Sequence, residues 1–156
     1  MSNIRIFVSH RIDIDSETVD TPVYFPVRCG AVYDEEGNSE IQGDDTGDNI
    51  SKLRMSFCEF TVQYWAWKNV DADYYGLCHY RRYLSFSDKR YKNTAFNMVR
   101  ELRLTAHEKK KYHLDDTKKI NIVVQKYDMI IPELAKASEM SYNRAEVKTL
   151  REMWES

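Results

Sequence analysis

His79, Arg81 and Arg82 sit together in "GLCHYRRYL", residues 76–84, immediately after a short apolar run. Arginine offers a planar fork of donors that matches phosphate or carboxylate, and it keeps its charge across the working pH range. Tyr80 and Tyr83 frame the cations and add hydroxyl donors or a stacking surface. On an extended segment successive side chains alternate, so His79 and Arg81 would share a face and Arg82 would oppose them. The run reads as an anion held at the end of a strand. The competing reading pairs the same arginines with Asp71, Asp73 or Glu59.

"GDDTGDNIS", residues 43–51, is the second constellation. Asp44, Asp45 and Asp48, between Gly43 and Gly47, could ligate a hard cation, orient sugar hydroxyls or supply a base. The acid spacing is not that of an EF-hand loop. The same residues also fit a turn leading into a helix, with Asn49 or Ser51 as caps.

The elements that must position these residues follow from periodicity. Residues 3–9 alternate as a strand, with Ile4, Ile6 and Val8 on one side and Phe7 on the other, ending at Ser9-His10-Arg11. Residues 13–43 are acidic, broken by Pro22, Pro26 and glycines, and read mostly as loop around an apolar island at 23–27. Ser56 and Glu59 have capping-box spacing for a helix over 56–69, whose stripe of Phe57, Phe60, Tyr64 and Trp67, widened by Thr61 and Trp65, is expected to pack in the core, with Asn69 as its C-cap. A strand over 74–78 then delivers His79. Helices are expected over 95–104 and 116–126, a short strand at "YDMIIP" (127–132), and helix again in the second half of 133–156. Helix, turn, strand and polar loop in succession is the pattern of α/β folds, whose ligands gather beyond the carboxyl ends of the strands.

Length bounds the rest. A chain of 156 residues fits one domain. Neither a signal peptide nor a span of about 18 apolar residues is present, which points to the cytoplasm. The glycosylation sequon at Asn49-Ile50-Ser51 is set aside on the same ground. Cys29, Cys58 and Cys78 stand singly in apolar contexts, as buried thiols rather than disulfides or a metal motif. The net charge of −2 is unevenly spread: eleven acids face one base over 13–48, and ten bases face four acids over 89–119. Lys109-Lys110-Lys111 and Lys118-Lys119 would suit an anionic membrane. Nucleic acid is not an expected partner, since the chain is net acidic and carries no nucleic-acid motif.

In order along the chain, "FPVRCGA" (25–31), "GDDTGDNIS" (43–51), "FCEFTVQYWAWKN" (57–69), "DADYYGLCHYRRYL" (71–84) and "KYDMIIP" (126–132) closely resemble a family of bacterial capsular and exopolysaccharide biosynthesis glycosyltransferases, long catalogued as a domain of unknown function. The likeness runs from residue 4 to about 132. Family members generally continue further, so it covers about two thirds of a usual domain. It implies an α/β fold: a Rossmann-like sheet of GT-A type flanked by helices, incomplete at the C-terminus, with residues 1–156 forming a single nucleotide-sugar-binding domain. It also implies transfer from a nucleotide-sugar donor to a glycan acceptor, lipid-linked in the case where a peripheral contact with the inner membrane face would matter. GT-A enzymes typically carry Asp-x-Asp, which holds a metal, where this chain has His79-Tyr80-Arg81. Asp71-Ala72-Asp73 has those letters but stands at the wrong end of the strand. No metal or other cofactor is therefore expected. His79, Tyr80, Arg81 and Arg82 would bind the donor's diphosphate, Ser9 and His10 its base and ribose, and Asn49 its sugar, with Asp45 and Asp48 as catalytic candidates near that sugar. A non-catalytic or truncated module of a polysaccharide assembly is the alternative.

Overall fold

A computed structural model describes residues 2–14, 16–35, 37, 40–91 and 98–133. Four strands, β1 (Ile4–His10), β2 (Tyr24–Arg28), β3 (Gln42–Gly43) and β4 (Tyr74–His79), form a parallel sheet in the order β3-β2-β1-β4. The helices are α1 (Arg54–Phe57), α2 (Phe60–Asn69), α3 (Ala106–Lys111) and α4 (Thr117–Val124). Parallel strands are buried on both faces, and β1 shows it: Phe7 and Val8, which point to opposite sides, are both buried. On one face Phe7, Val27 and Leu77 pack against Val62, Trp65 and Ala66 of α2. On the other, Ile4, Val8 and Tyr24 pack against Tyr80, Phe86, Tyr112, Leu114 and Ile120 of α4. The expected α/β sheet with helices on both faces is thus observed.

The apolar island at 23–27 is a strand rather than an interlude in a loop. β2 runs beside β1 with Val8 opposite Pro26. Its outer edge is paired only at Val27 and Arg28, which leaves Pro26 where a missing N–H is tolerated.

The expected helix over 56–69 is broken in two. Cys58 takes φ 46°, ψ −129°, a conformation that costs a non-glycine residue about 1–3 kcal/mol, and it separates α1 from α2. Its carbonyl is held by the Thr61 N–H at 3.2 Å, the Thr61 hydroxyl at 3.1 Å and the Cys29 thiol at 3.2 Å. The buried face of α2 is Thr61, Val62, Trp65 and Ala66, whereas Phe57, Phe60 and Trp67 are exposed. Of the stripe expected in the core, Thr61 and Trp65 are buried as expected, while Phe57, Phe60 and Trp67 face outward. The small side chains of Val62 and Ala66 let the helix lie close over Phe7 and Val27, and full burial of a side chain such as Phe7 is worth about 1.5–3 kcal/mol. Asn69 closes α2 through its side chain, which donates to Trp65 O and Asp48 O, both at 2.8 Å.

Other expectations shift as well. Asp116 caps α4 by accepting from Lys119 N at 2.9 Å, in line with the expected helix at 116–126. Residues 98–104 are not helical, and 95–97 lie outside the described residues, as does the expected tail helix. Residues 127–132 form no strand and are exposed. Helix α3 was not anticipated, although Thr105 caps it by accepting from His107 N at 3.2 Å. Of the three cysteines only Cys29 is buried; Cys78 is intermediate, its thiol pushed up to about 12 by burial, and Cys58 is exposed.

One fully buried side chain ties the α2 face together. The Asp44 carboxylate accepts from Gly30 N at 2.9 Å, Ala31 N at 3.0 Å, the Ser51 hydroxyl at 2.5 Å and the Thr61 hydroxyl at 2.6 Å. Removing this acceptor leaves the Gly30 and Ala31 N–H groups and the Ser51 hydroxyl without their buried partner, and the Thr61 hydroxyl with its longer bond to Cys58 O. Asp44→Ala should lower the unfolding free energy by about 3 kcal/mol or more. Urea denaturation checks this: the midpoint falls, and a shift equivalent to less than about 1 kcal/mol would show that the clamp is dispensable.

Candidate functional site

The strand order locates the crevice. β2 and β3 extend the sheet on one side of β1 and β4 lies on the other, so the chain's path reverses between β1 and β4. In open parallel sheets ligands bind beyond the carboxyl ends of the strands at such a reversal. Ser9 and His79 are register partners there, and Tyr80 N donates to Ser9 O at 3.1 Å.

Past His79 the chain turns instead of continuing extended, with Arg82 N donating to His79 O at 2.9 Å. The alternation expected of an extended segment therefore does not apply past His79, and both arginines lie near enough to disfavour the charged form of its ring. His79 Nδ1 accepts from Arg81 N at 3.2 Å, and Nε2 lies 3.5 Å from Glu59 Oε1. An accepting Nδ1 puts the neutral ring's proton on Nε2, toward Glu59. Burial first, then Arg82, Arg81 and Arg11, hold His79 below the usual histidine range, and Glu59 offsets this only in part. The Tyr80 ring is buried, 4.1 Å from the His79 ring and 5.0 Å from the Arg81 guanidinium carbon, and Arg11 also reaches Tyr80.

Arg81 and Arg82 make no ion pair with any described residue. Their proposed competitors are elsewhere: Asp73 accepts from Asn3 N at 2.7 Å, and Asp71 O accepts from Asn3 Nδ2 at 2.9 Å, at the start of β4. A six-residue strand separates the two ends by roughly 17 Å. Glu59 faces the imidazole rather than a guanidinium.

The remaining sequence candidates are spread more widely. Ser9 is buried under the tip of β1. His10 is buried too, its Nδ1 2.8 Å from the Ser16 hydroxyl and its Nε2 2.6 Å from the Thr18 hydroxyl. Asp48 sits at the far end of α2, where it accepts from the Tyr64 hydroxyl at 3.1 Å and lies 4.0 Å from Lys68 Nζ. That end of a ten-residue helix is about 15 Å from the end carrying Glu59. Asn49 braces its own loop, donating to Asp45 O at 3.0 Å and accepting from Ser51 N at 3.2 Å. Asp45 is exposed beyond β3, which β2 and β1 separate from β4. The structure thus gathers His79, Tyr80, Arg81 and Arg82 over Ser9, and does not bring Asp45, Asp48 or Asn49 to them.

The sequence assigns no donor-binding or catalytic role to Arg11, Arg54 and Glu59, yet they lie at the strand tips. Arg11 follows β1 directly and pairs with Asp13. Arg54 lies beneath Gly30, where an added Cβ would come within 2.1 Å of its Cδ, and it acts electrostatically on Asp13 and Cys29. Glu59 is carried to His79 by the break at Cys58. A base placed directly after a strand, as Arg11 is after Ser9-His10, was the available signal. Among the described residues no three His, Cys, Asp or Glu side chains cluster to hold a metal ion. The β4 tip offers guanidinium groups, one imidazole of lowered basicity and the single carboxylate of Glu59, a donor set with too few oxygens for a hard divalent cation.

Residues 5–153 match a family described as a domain of unknown function (DUF4422). The chain belongs to this family. No curated protein matches it significantly. Among solved structures, the apo form of the WbbM bifunctional glycosyltransferase superposes on the DUF4422 chain with a TM-score of 0.64 at 34% identity, over 72% of this chain. That overlap is 20% of the WbbM chain, so the DUF4422 fold spans about a fifth of the enzyme's length. The sheet flanked by helices is accordingly a Rossmann-like glycosyltransferase fold.

In the DUF4422 chain, His79 should titrate below 6.5, since burial and Arg82 both disfavour its charged form. Arg82→Ala removes one of those influences and should raise the midpoint toward 6.5. Ring-proton NMR across pH 4–8 reads both; a wild-type midpoint at or above 6.5, or one unmoved by the substitution, would show that the guanidinium groups do not act on this ring.

Proposed function

We propose that the chain binds the diphosphate of a nucleotide sugar against the β4 tip and serves glycosyl transfer to a glycan acceptor in capsular or exopolysaccharide synthesis. The likeness to a glycosyltransferase supports glycosyl transfer in general. The observation that carries the specific reading is the pair Arg81 and Arg82, without carboxylate partners among the described residues, beside His79 at the reversal of strand order.

Glycosyl transfer breaks the bond between the sugar's anomeric carbon and the diphosphate oxygen, and negative charge accumulates on the departing diphosphate. Fixed donors aimed at that charge lower the barrier because they need no reorganisation as it develops. Arg81 and Arg82 supply permanent charge, while the Nε2–H of neutral His79 points to Glu59 and orients that carboxylate. Tyr80 holds His79 and Arg81 in place through ring contacts. Ser9 and His10 underlie the side on which the nucleoside would lie. Glu59 is the carboxylate nearest this cluster and our candidate for taking up the acceptor's proton. A cytoplasmic setting and a lipid-linked acceptor belong to the same proposal; no helix among the described residues is long and apolar enough to cross a membrane.

A second reading, a donor-binding module without turnover, is favoured by the distance of Asp45 and Asp48 from the tip. Donor consumption by the isolated chain separates the two, since only the transferase reading predicts it. Under both, calorimetry should detect binding of a nucleoside diphosphate, and Arg81→Ala should weaken it by about 1.5–3 kcal/mol. Excess chelator should leave the affinity unchanged. Equal affinity in Arg81→Ala, or binding only with manganese present, would refute the site.

A further inference from the structure

Away from the strand tips, the segment after β4 and helix α3 enclose a shallow depression of about 400 Å³ lined by Ser87, Lys89, Tyr91, His107, Lys110, Lys111 and His113. Its lining holds three ammonium groups, two imidazoles and no carboxylate. Lys111 is fixed by Glu101 at 2.7 Å and by the Tyr91 and Tyr112 rings at 5.1 and 4.8 Å. Lys89 and Lys110 have no ion-pair partner among the described residues.

The surrounding carboxylates are committed elsewhere. Glu101 serves Lys111 and the Tyr112 hydroxyl, and Glu108 takes the Thr105 hydroxyl. Asp88 holds Lys119 at 2.5 Å, which also removes Lys119 from the basic run expected to meet a membrane. Asp116 lies 3.3 Å from His113 Nδ1 and caps α4.

Carbonyls at the end of α3 would repel an anion if left bare, but they are occupied. Tyr112 N donates to Glu108 O at 3.0 Å, Leu114 N to Lys109 O at 2.8 Å, His113 N to Lys110 O at 3.2 Å, and the Tyr91 hydroxyl to Lys111 O at 2.9 Å. Ser87 Oγ accepts from Lys89 N at 3.2 Å and lies 3.3 Å from the Tyr91 hydroxyl, which orders the opposite wall. A concave surface with no carboxylate in its lining, where Lys89 and Lys110 have no ion-pair partner among the described residues and Lys111 and His113 add charge from their pairs with Glu101 and Asp116, suits an anion with several oxygens, and lysine binds phosphate as a point charge.

We propose that this depression is a second anion site, distinct from the β4 tip, that takes a phosphate group carried by a soluble phosphate ester or by a lipid headgroup. Two probes separate the sources: inorganic phosphate, followed by the ring protons of His107 and His113, and sedimentation with phosphatidylcholine vesicles with and without phosphatidic acid. The expected result is a saturable shift of both histidines, retention on the acidic vesicles only, or both. Phosphate shifts without vesicle retention assign a soluble ligand, and retention with weak phosphate binding assigns the headgroup.

The double variant Lys89→Gln, Lys110→Gln alters two exposed side chains and should weaken whichever binding is seen about tenfold or more. Nucleoside diphosphate binding at the β4 tip should be unchanged in that variant, so failure of this proposal is distinguishable from failure of the donor site. The proposal is overturned if neither probe binds, or if the double variant binds either one as the wild type does.

Discussion

The α2 side of this molecule is organised by a single buried carboxylate. Asp44 joins the turn after β2, the helical turn at Ser51–Leu53 and the first turn of α2, drawing four donors from segments distant in sequence onto two oxygens. Hydrophobic burial favours collapse of α2 onto the sheet but has no direction, so it does not by itself fix the helix's rotation. Hydrogen bonds to Asp44 do. Thr61 reaches Asp44 and also grips Cys58 O, so the clamp sets the start of α2 and with it the position of Glu59 beside His79.

The electrostatics of β4 rest on the same scaffold. Its start is acidic, with Asp71 and Asp73 bound to Asn3, and its end is basic, with His79, Arg81 and Arg82 in a turn. Because the strand keeps the two groups apart, the acids cannot neutralise the arginines. Charge held near a lowered-basicity histidine, above a buried Ser9, is the arrangement a diphosphate would meet. A metal-binding carboxylate pair in the same place would have to coexist with those guanidinium groups.

Much of the site's position was legible from local chemistry. The strand ending at His79 needed only an apolar run and its abrupt polar stop, and β1 was readable from the alternation around Phe7. The membership of the chain was legible too, because "GDDTGDNIS" and "DADYYGLCHYRRYL" are unusual strings. What could not be read were the roles inside them. Asp44, Asp45 and Asp48 look equivalent in the sequence, yet Asp44 is buried under four donors, Asp48 anchors the far end of α2, and Asp45 is exposed beyond β3.

From the chain alone came β1, the helix before β4, the helix at Asp116, the α/β class and the cationic end of β4, since each depends on residues close together in sequence. Tertiary structure decided which helix face is buried. Phe57, Phe60, Tyr64 and Trp67 recur at helical spacing as convincingly as Thr61, Val62, Trp65 and Ala66, and periodicity cannot rank two apolar stripes on one helix. The sheet could, because this face sets Val62, Trp65 and Ala66 against Phe7 and Val27 while its threonine meets Asp44. It also decided the turn at 79–82, where a hydrogen bond back to the strand end stops the extended alternation assumed for His79, Arg81 and Arg82.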